Sequence, residues 1–225
     1  MSRYLFISLF LIALPIITKA QTANNNKQGL SVGVDLSPYI IRLFDHERTG
    51  FAFNGRYSLK DKWFVGAEAG FENTSFSKRE FDYKTNGTFI KAGLEYNLFK
   101  VEEANNNDNI LVGFRYGYAW QEHTCDRFTI IDGYWGDYQG ALGTNAVNSH
   151  WMEIVFGLRS EVLKNFYMGW SIRLKQLLIA DHAGVLEPYT IPGFGKFDNK
   201  TNLGFTYTLE YQIPIRGQKQ KNRAK

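Results

Sequence analysis

Between Gly29 and Ile215, large apolar residues recur at every second position, and the residues between them are small, polar or charged. Val112, Phe114, Tyr116, Tyr118 and Trp120 alternate with Gly113, Arg115, Gly117 and Ala119. Leu203, Phe205, Tyr207, Leu209, Tyr211 and Ile213 alternate with Asn202, Gly204, Thr206, Thr208, Glu210 and Gln212. A period of two marks strands whose two faces meet different surroundings. No long 3.6-residue periodicity competes with it. The pattern predicts eight strands, near 29–41, 51–59, 63–73, 88–99, 110–120, 149–162, 166–178 and 201–214.

The connections sort by length. Lys60-Asp61-Lys62 and Leu163-Lys164-Asn165 are short, and residues 100–109 form a polar link. The others, near 42–50, 74–87, 121–148 and 179–200, are mostly longer. Short turns at one end, long loops at the other and an even strand number are the marks of an outer-membrane barrel. The expected fold is all-β: an eight-stranded antiparallel up-and-down transmembrane β-barrel over residues 29–215. No second domain and no internal repeat is visible.

Glycine indicates which face lies inside. Gly33, Gly66, Gly70, Gly93, Gly113, Gly117, Gly157, Gly169 and Gly204 share the polar face, whereas the apolar face holds mainly Gly55. Eight strands enclose a space only wide enough for their own side chains. Small residues and ion pairs fit there; stacked Phe, Tyr and Trp do not. The apolar face therefore points to lipid. The polar face also carries Asp35, Glu68, Glu72, Glu95, Glu153, Glu161 and Glu210 against Arg56, Lys91, Arg115, Arg159, Arg173 and Lys175. Buried charges are tolerated when paired, so a salt-bridged interior is expected. With the N-terminus periplasmic, Trp63, Tyr96, Phe99, Phe166 and Tyr211 would girdle the inner rim, and Phe51, Phe71, Tyr118 and Trp120 the outer.

The basicity of the chain does not belong to the barrel. Residues 1–20 read as a basic start, a short apolar core and a small-residue end, the parts of a cleaved secretory signal. They hold Arg3 and Lys19, and the last ten residues hold Arg216, Lys219, Lys221, Arg223 and Lys225, with no acid in either stretch. Of 26 bases and 22 acids, residues 21–215 thus keep 19 bases and all the acids, a net charge of three negative. That argues against nucleic acid as a partner. The expected order is a signal at 1–20, a polar segment at 21–28, the barrel at 29–215 and a basic periplasmic tail at 216–225. A single Cys excludes a disulfide framework and a Cys-rich zinc site.

Several stretches carry a likeness. Gly33-Val34-Asp35-Leu36-Ser37, Val112-Gly113-Phe114-Arg115-Tyr116-Gly117 and His150-Trp151-Met152-Glu153 are three of them. Asn165 to Lys175 (NFYMGWSIRLK) and Tyr189 to Lys196 (YTIPGFGK) are the others. In these the chain resembles a domain-of-unknown-function family of small outer-membrane β-barrels from the Bacteroidetes group. The resemblance spans nearly all of the mature chain and implies fold and location, with no activity. One departure stands out. Such barrels often end their last strand on an aromatic that the assembly machinery reads, whereas this one ends Tyr211-Gln212-Ile213-Pro214-Ile215 before the basic tail.

Some barrels of this size modify lipids, and three histidines bear on that: Asp45-His46, Asp181-His182 and Ser149-His150. Hydrolysis needs a His within reach of a Ser and oriented by a carboxylate, but neighbours on a strand face opposite ways. His123, Cys125 and Asp126 are too few for a zinc site and read as a loop with an exposed thiol. No catalytic residue, metal or cofactor is expected. The third long loop is the recognition candidate, with Phe128, Tyr134, Trp135 and Tyr138 presented on a rigid scaffold. Pro188, Pro192, Gly193 and Gly195 suggest that the fourth loop is ordered. The expected protein is a monomer in outer-membrane lipid, inserted by the barrel-assembly machinery, with a structural role or an extracellular ligand. The alternatives are an esterase or acyltransferase on lipid A or phospholipid, and a soluble periplasmic ligand-binding barrel.

Overall fold

The computed structural model describes residues 29–60, 62–99, 108–131, 134, 136–182 and 187–214. The expected signal peptide, the 21–28 segment, most of the 100–109 link and the basic tail lie outside them. Its elements are β1 (Gly29–Asp35), α1 (Ser37–Phe44), β2 (Arg48–Lys60), β3 (Trp63–Ser77), β4 (Phe81–Asn97) and β5 (Asn109–Ile130). There follow β6 (Tyr138–Leu163), β7 (Phe166–His182), a two-rung hairpin of β8 (Thr190–Ile191) and β9 (Gly195–Lys196), and β10 (Thr201–Pro214).

The eight long strands close into one antiparallel ring, in the order β1-β10-β7-β6-β5-β4-β3-β2. Closure runs through β1, where Gly29 faces Pro214 of β10 and Leu30 faces Tyr57 of β2. Up to the level of Asp35, ring closure leaves no unpaired edge, as hydrocarbon requires. Its outer face exposes Phe53, Ile90, Leu94, Phe114, Ile154, Ile172 and Phe205. Trp63 and Tyr96 meet edge to face at 4.9 Å near the short-turn end, as Tyr118 and Trp120 do at 4.3 Å nearer the other. Asn165, at φ 64°, makes the tight turn between β6 and β7.

The interior is a single ionic chain. Glu210 accepts from Arg56 at 2.6 Å and Arg159 at 2.8 Å, and Arg56 also reaches Glu95 at 2.7 Å. Arg115 joins Glu95 to Glu68. Glu68 further takes Arg173 at 2.7 Å and Lys91 at 3.0 Å, and both of these continue to Glu153. Glycine makes the room. A Cβ on Gly113 would press on Glu95, one on Gly93 on Arg115, and one on Gly33 on Glu210.

Three expectations needed correction. The first strand ends at Asp35 and not near residue 41, because Asp35 Oδ1 accepts from both the Ser37 N–H (2.8 Å) and Oγ–H (2.7 Å). That turn, with Pro38 at the start of a helix, leads the chain into α1. Second, the stretches 74–87 and 121–148 are largely strand, so the barrel continues upward as hairpins. At roughly 3.4 Å per residue and a tilt of about 40°, the 26 residues of β6 rise roughly 65–70 Å, against an apolar band of about 25 Å. These segments read as loops because above the lipid the outward face turns polar (Ser75, Ser77, Lys84, Asn86), while the inward face stays buried and the ladder persists. Third, large rings do lie inside. Trp151 is fully buried, where a Cβ on Gly117 would overlap its indole, and Phe89 is buried near it.

Arg115 serves two carboxylates, so Arg115→Met strands charge on both. Breaking a buried pair from one side costs about 3–5 kcal/mol. Urea titration of the folded barrel in detergent, read by its heat-modifiable gel mobility, is expected to show a loss of that order. An unchanged midpoint would mean that water, not Arg115, balances these acids.

Candidate functional site: an aromatic cleft at the loop end

Above the ionic chain, residues 187–198 fold back into the barrel mouth. Ile191 and Phe194 are buried against Ala52, Phe89, Ala119 and Trp151. Lys175 Nζ donates to the carbonyls of Gly193 (2.8 Å) and Phe194 (3.1 Å), and the Gly193 N–H donates to Glu72 Oε2 at 3.3 Å. Gly193 needs its φ of 73°, and a Cβ there would strike the Phe89 ring. The segment is therefore a fixed lid, held by backbone contacts to part-buried charged groups.

The raised hairpins and this lid enclose a cleft of about 430 Å³. Its aromatic wall is Phe81, Tyr83, Phe128, Tyr189 and Phe197. Glu80, Glu187 and Asp198 add three carboxylates, and no described basic side chain lines it. The wall is braced: Phe76 stacks on Tyr83 at 5.2 Å and meets Tyr189 edge-on at 4.9 Å. Tyr189 donates its N–H to the Tyr83 hydroxyl at 3.0 Å, and His123 stacks on Tyr83 from the other side. Burial pushes the Tyr83 phenol up from its ordinary range. Outside the cleft, hydrogen bonds from Arg127 and Ser77 hold the Asp82 carboxyl below its usual range, and Asp82 in turn raises Arg127.

Of the residues singled out from sequence, Phe128 lines this cleft. Tyr138 lies 6.1 Å from the Phe128 ring but stands outward. Tyr134 is 84% exposed at the hairpin tip, and Trp135 lies outside the described residues. Phe81, Tyr83, Tyr189 and Phe197 were missed. The run Phe76, Phe81, Tyr83 within 74–87 was the available signal; nothing local tied it to residues 187–198.

The ionic residues fall into three places. Arg56, Glu68, Lys91, Glu95, Arg115, Glu153, Arg159, Arg173 and Glu210 form the chain above. Asp35 and Lys175 line the space beneath the lid, and Glu161 sits at the turn end, accepting the Asn165 N–H at 2.6 Å. His46 is exposed. Ser149 is buried inside while His150 faces out and bonds the Tyr116 hydroxyl. The two do not meet. The side chain of His182 lies outside the described residues. Among the described residues no three His, Cys, Asp or Glu converge as a metal site.

Cys125 departs from expectation: it is buried, and its Sγ donates to the Arg127 carbonyl at 3.3 Å. It continues the inward-facing set of Gln121 and His123, in unbroken register with Thr85 and Tyr83 of β4. A maleimide is expected to label Cys125 at least tenfold more slowly in the folded barrel than in urea. Equal rates would show that the hairpin stands open.

Ring closure, an apolar outer face and a salt-bridged interior define a transmembrane β-barrel of the eight-stranded class. The chain belongs to the family described as Domain of unknown function (DUF6048), whose model matches residues 1–218. No curated protein matches it. Among solved structures it is similar to Ail, the attachment invasion locus protein of Yersinia pestis, at 10% identity and a TM-score of 0.41, over 82% of this chain and 95% of that one. It is also similar to CarO2 of Acinetobacter baumannii, at 10% identity and a TM-score of 0.40, over 82% of this chain and 97% of that one.

Proposed function

We propose that this protein is a monomeric outer-membrane barrel that binds an extracellular ligand through its loop end, without catalysis. The observation that carries this reading is the aromatic cleft of about 430 Å³, with three carboxylates and no described base in its lining. Aromatic faces attract cations, most strongly where water is excluded, and carboxylates at the rim raise the local cation concentration. The favoured ligand class is an amine-bearing group, primary or quaternary, displayed on a peptide or glycan. Basic residues near the rim already have partners, as Arg127 has Asp82 and Lys84 has Asp126, so they compete little for the cleft.

Two measurements test this reading. In a Cys125→Ser background, Asp137→Cys at the hairpin tip is expected to react with a membrane-impermeant maleimide on intact cells. Labelling that appears only after lysis would turn the barrel round or move it elsewhere. For the ligand, calorimetry of the detergent-solubilised barrel against choline, a lysine-rich peptide and a neutral chitin oligosaccharide is expected to show heat with the two cations. Glu80→Gln combined with Glu187→Gln should weaken that binding by about tenfold or more. Binding of the neutral sugar alone would replace the cation with a stacking glycan.

A further inference from the structure

The barrel wall is incomplete at its loop end. β1 stops at Asp35, opposite Ala52 of β2 and Thr208 of β10. Its two neighbours do not stop. β2 continues through Arg48–Phe51, paired only to β3, and β10 continues through Thr201–Tyr207, paired on its far side to β7. The last link across is the Leu36 N–H to the Tyr207 carbonyl at 2.7 Å. Above it, no described strand lies between β2 and β10, and α1 covers the opening. That helix is unusual for a cover facing water, since Leu43 is 68% and Phe44 77% exposed and Arg42 is its one charge. An apolar face of that kind suits the boundary between headgroups and acyl chains.

Behind α1 lies a cavity of about 320 Å³ that reaches from the lipid-facing surface to the interior. At its mouth stand Ile40, Ile41, Phe71, Leu203 and Phe205; at its back are Asp35, Glu68, Glu72, Lys91 and Lys175. Most of these charges are already answered. Lys91 pairs with Glu68, and Arg48 with Glu72. Two are not. Lys175 Nζ bonds neutral carbonyls of the lid, and Asp35 Oδ1 takes the Ser37 donors. No described side chain forms an ion pair with either. An apolar mouth and a chamber offering one cation and one anion with no direct ion pair match an amphiphile whose head carries both signs. At roughly 30 Å³ per water, the chamber holds about ten waters, room for a small head and not for a sugar chain.

We propose that this opening is a lateral binding site for one zwitterionic phospholipid of the ethanolamine type. Its phosphate would take Lys175, its ammonium would donate to Asp35, and an acyl chain would lie against Leu203, Phe205 and Phe71 under α1. A primary ammonium can hydrogen-bond Asp35, whereas a quaternary one cannot. The site requires the barrel to be in a membrane and is independent of what the aromatic cleft binds.

The test uses the full chain reconstituted into vesicles of equal parts phosphatidylethanolamine, phosphatidylglycerol and phosphatidylcholine. After mild extraction, native mass spectrometry is expected to find one phosphatidylethanolamine per barrel. Asp35→Asn keeps an acceptor for Ser37 and the shape of the turn, and should reduce that occupancy by about tenfold. A variant that loses its heat-modifiable mobility is set aside in favour of mapping the wild type. There, phosphatidylethanolamine with a photoreactive acyl chain should crosslink to α1 and to residues 201–206. Crosslinks spread evenly round the belt, or equal retention of all three lipids, would overturn the proposal.

Discussion

Everything in this molecule depends on holding charge inside a ring too narrow for bulk water. Four carboxylates and five cations form one continuous series of contacts from Arg159 to Glu153. None of these groups could sit there alone, because an unpaired buried charge costs several kcal/mol. The pairing reaches across the barrel, so it ties β2, β3, β4, β5, β6, β7 and β10 to one register, and Arg159 adds β1 by donating to the Ser31 hydroxyl. A slip of one residue in any strand would turn its charges to lipid and its Phe or Leu side chains inward. The interior glycines follow from the same constraint, since Glu95, Arg115 and Glu210 need the space that a Cβ opposite would occupy.

The two ends of the barrel use this rigid middle differently. At the turn end the chain reverses tightly, and Asn165 takes a left-handed conformation to do so. At the loop end β5 and β6 rise well past the lipid band, and the lid folds down into the mouth to bury Ile191 and Phe194. Asp35 has three parts in this arrangement. It ends β1, captures Ser37 to begin α1, and faces the chamber that the short β1 leaves behind. The opening in the wall and its helical cover thus come from one side chain and the proline three residues after it.

The fold was largely legible in the sequence, and the site only in part. Phe128 stood out because aromatics and glycines cluster near it. Tyr83, Tyr189 and Phe197 did not, because they lie on connections separated by about a hundred residues and meet only when the ring closes. Cys125 was misread as an exposed loop thiol for a related reason. It lies on the inward face with Gln121 and His123, which shows only once residues 121–130 are known to continue β5. Trp151 in turn sits inside because Gly117 is its neighbour across the ladder.

What the sequence determined by itself is the alternation: which residues share a face, that there are eight strands, and which face can enter lipid. Those properties are local, because a pleated backbone sends neighbouring side chains to opposite sides whatever lies beyond. Tertiary structure alone decided which carboxylate meets which guanidinium, where β1 stops relative to β2 and β10, and which distant rings share a cleft. Each depends on strand register and closure. These are set by contacts across the ring and leave no trace in the order of residues along any one strand.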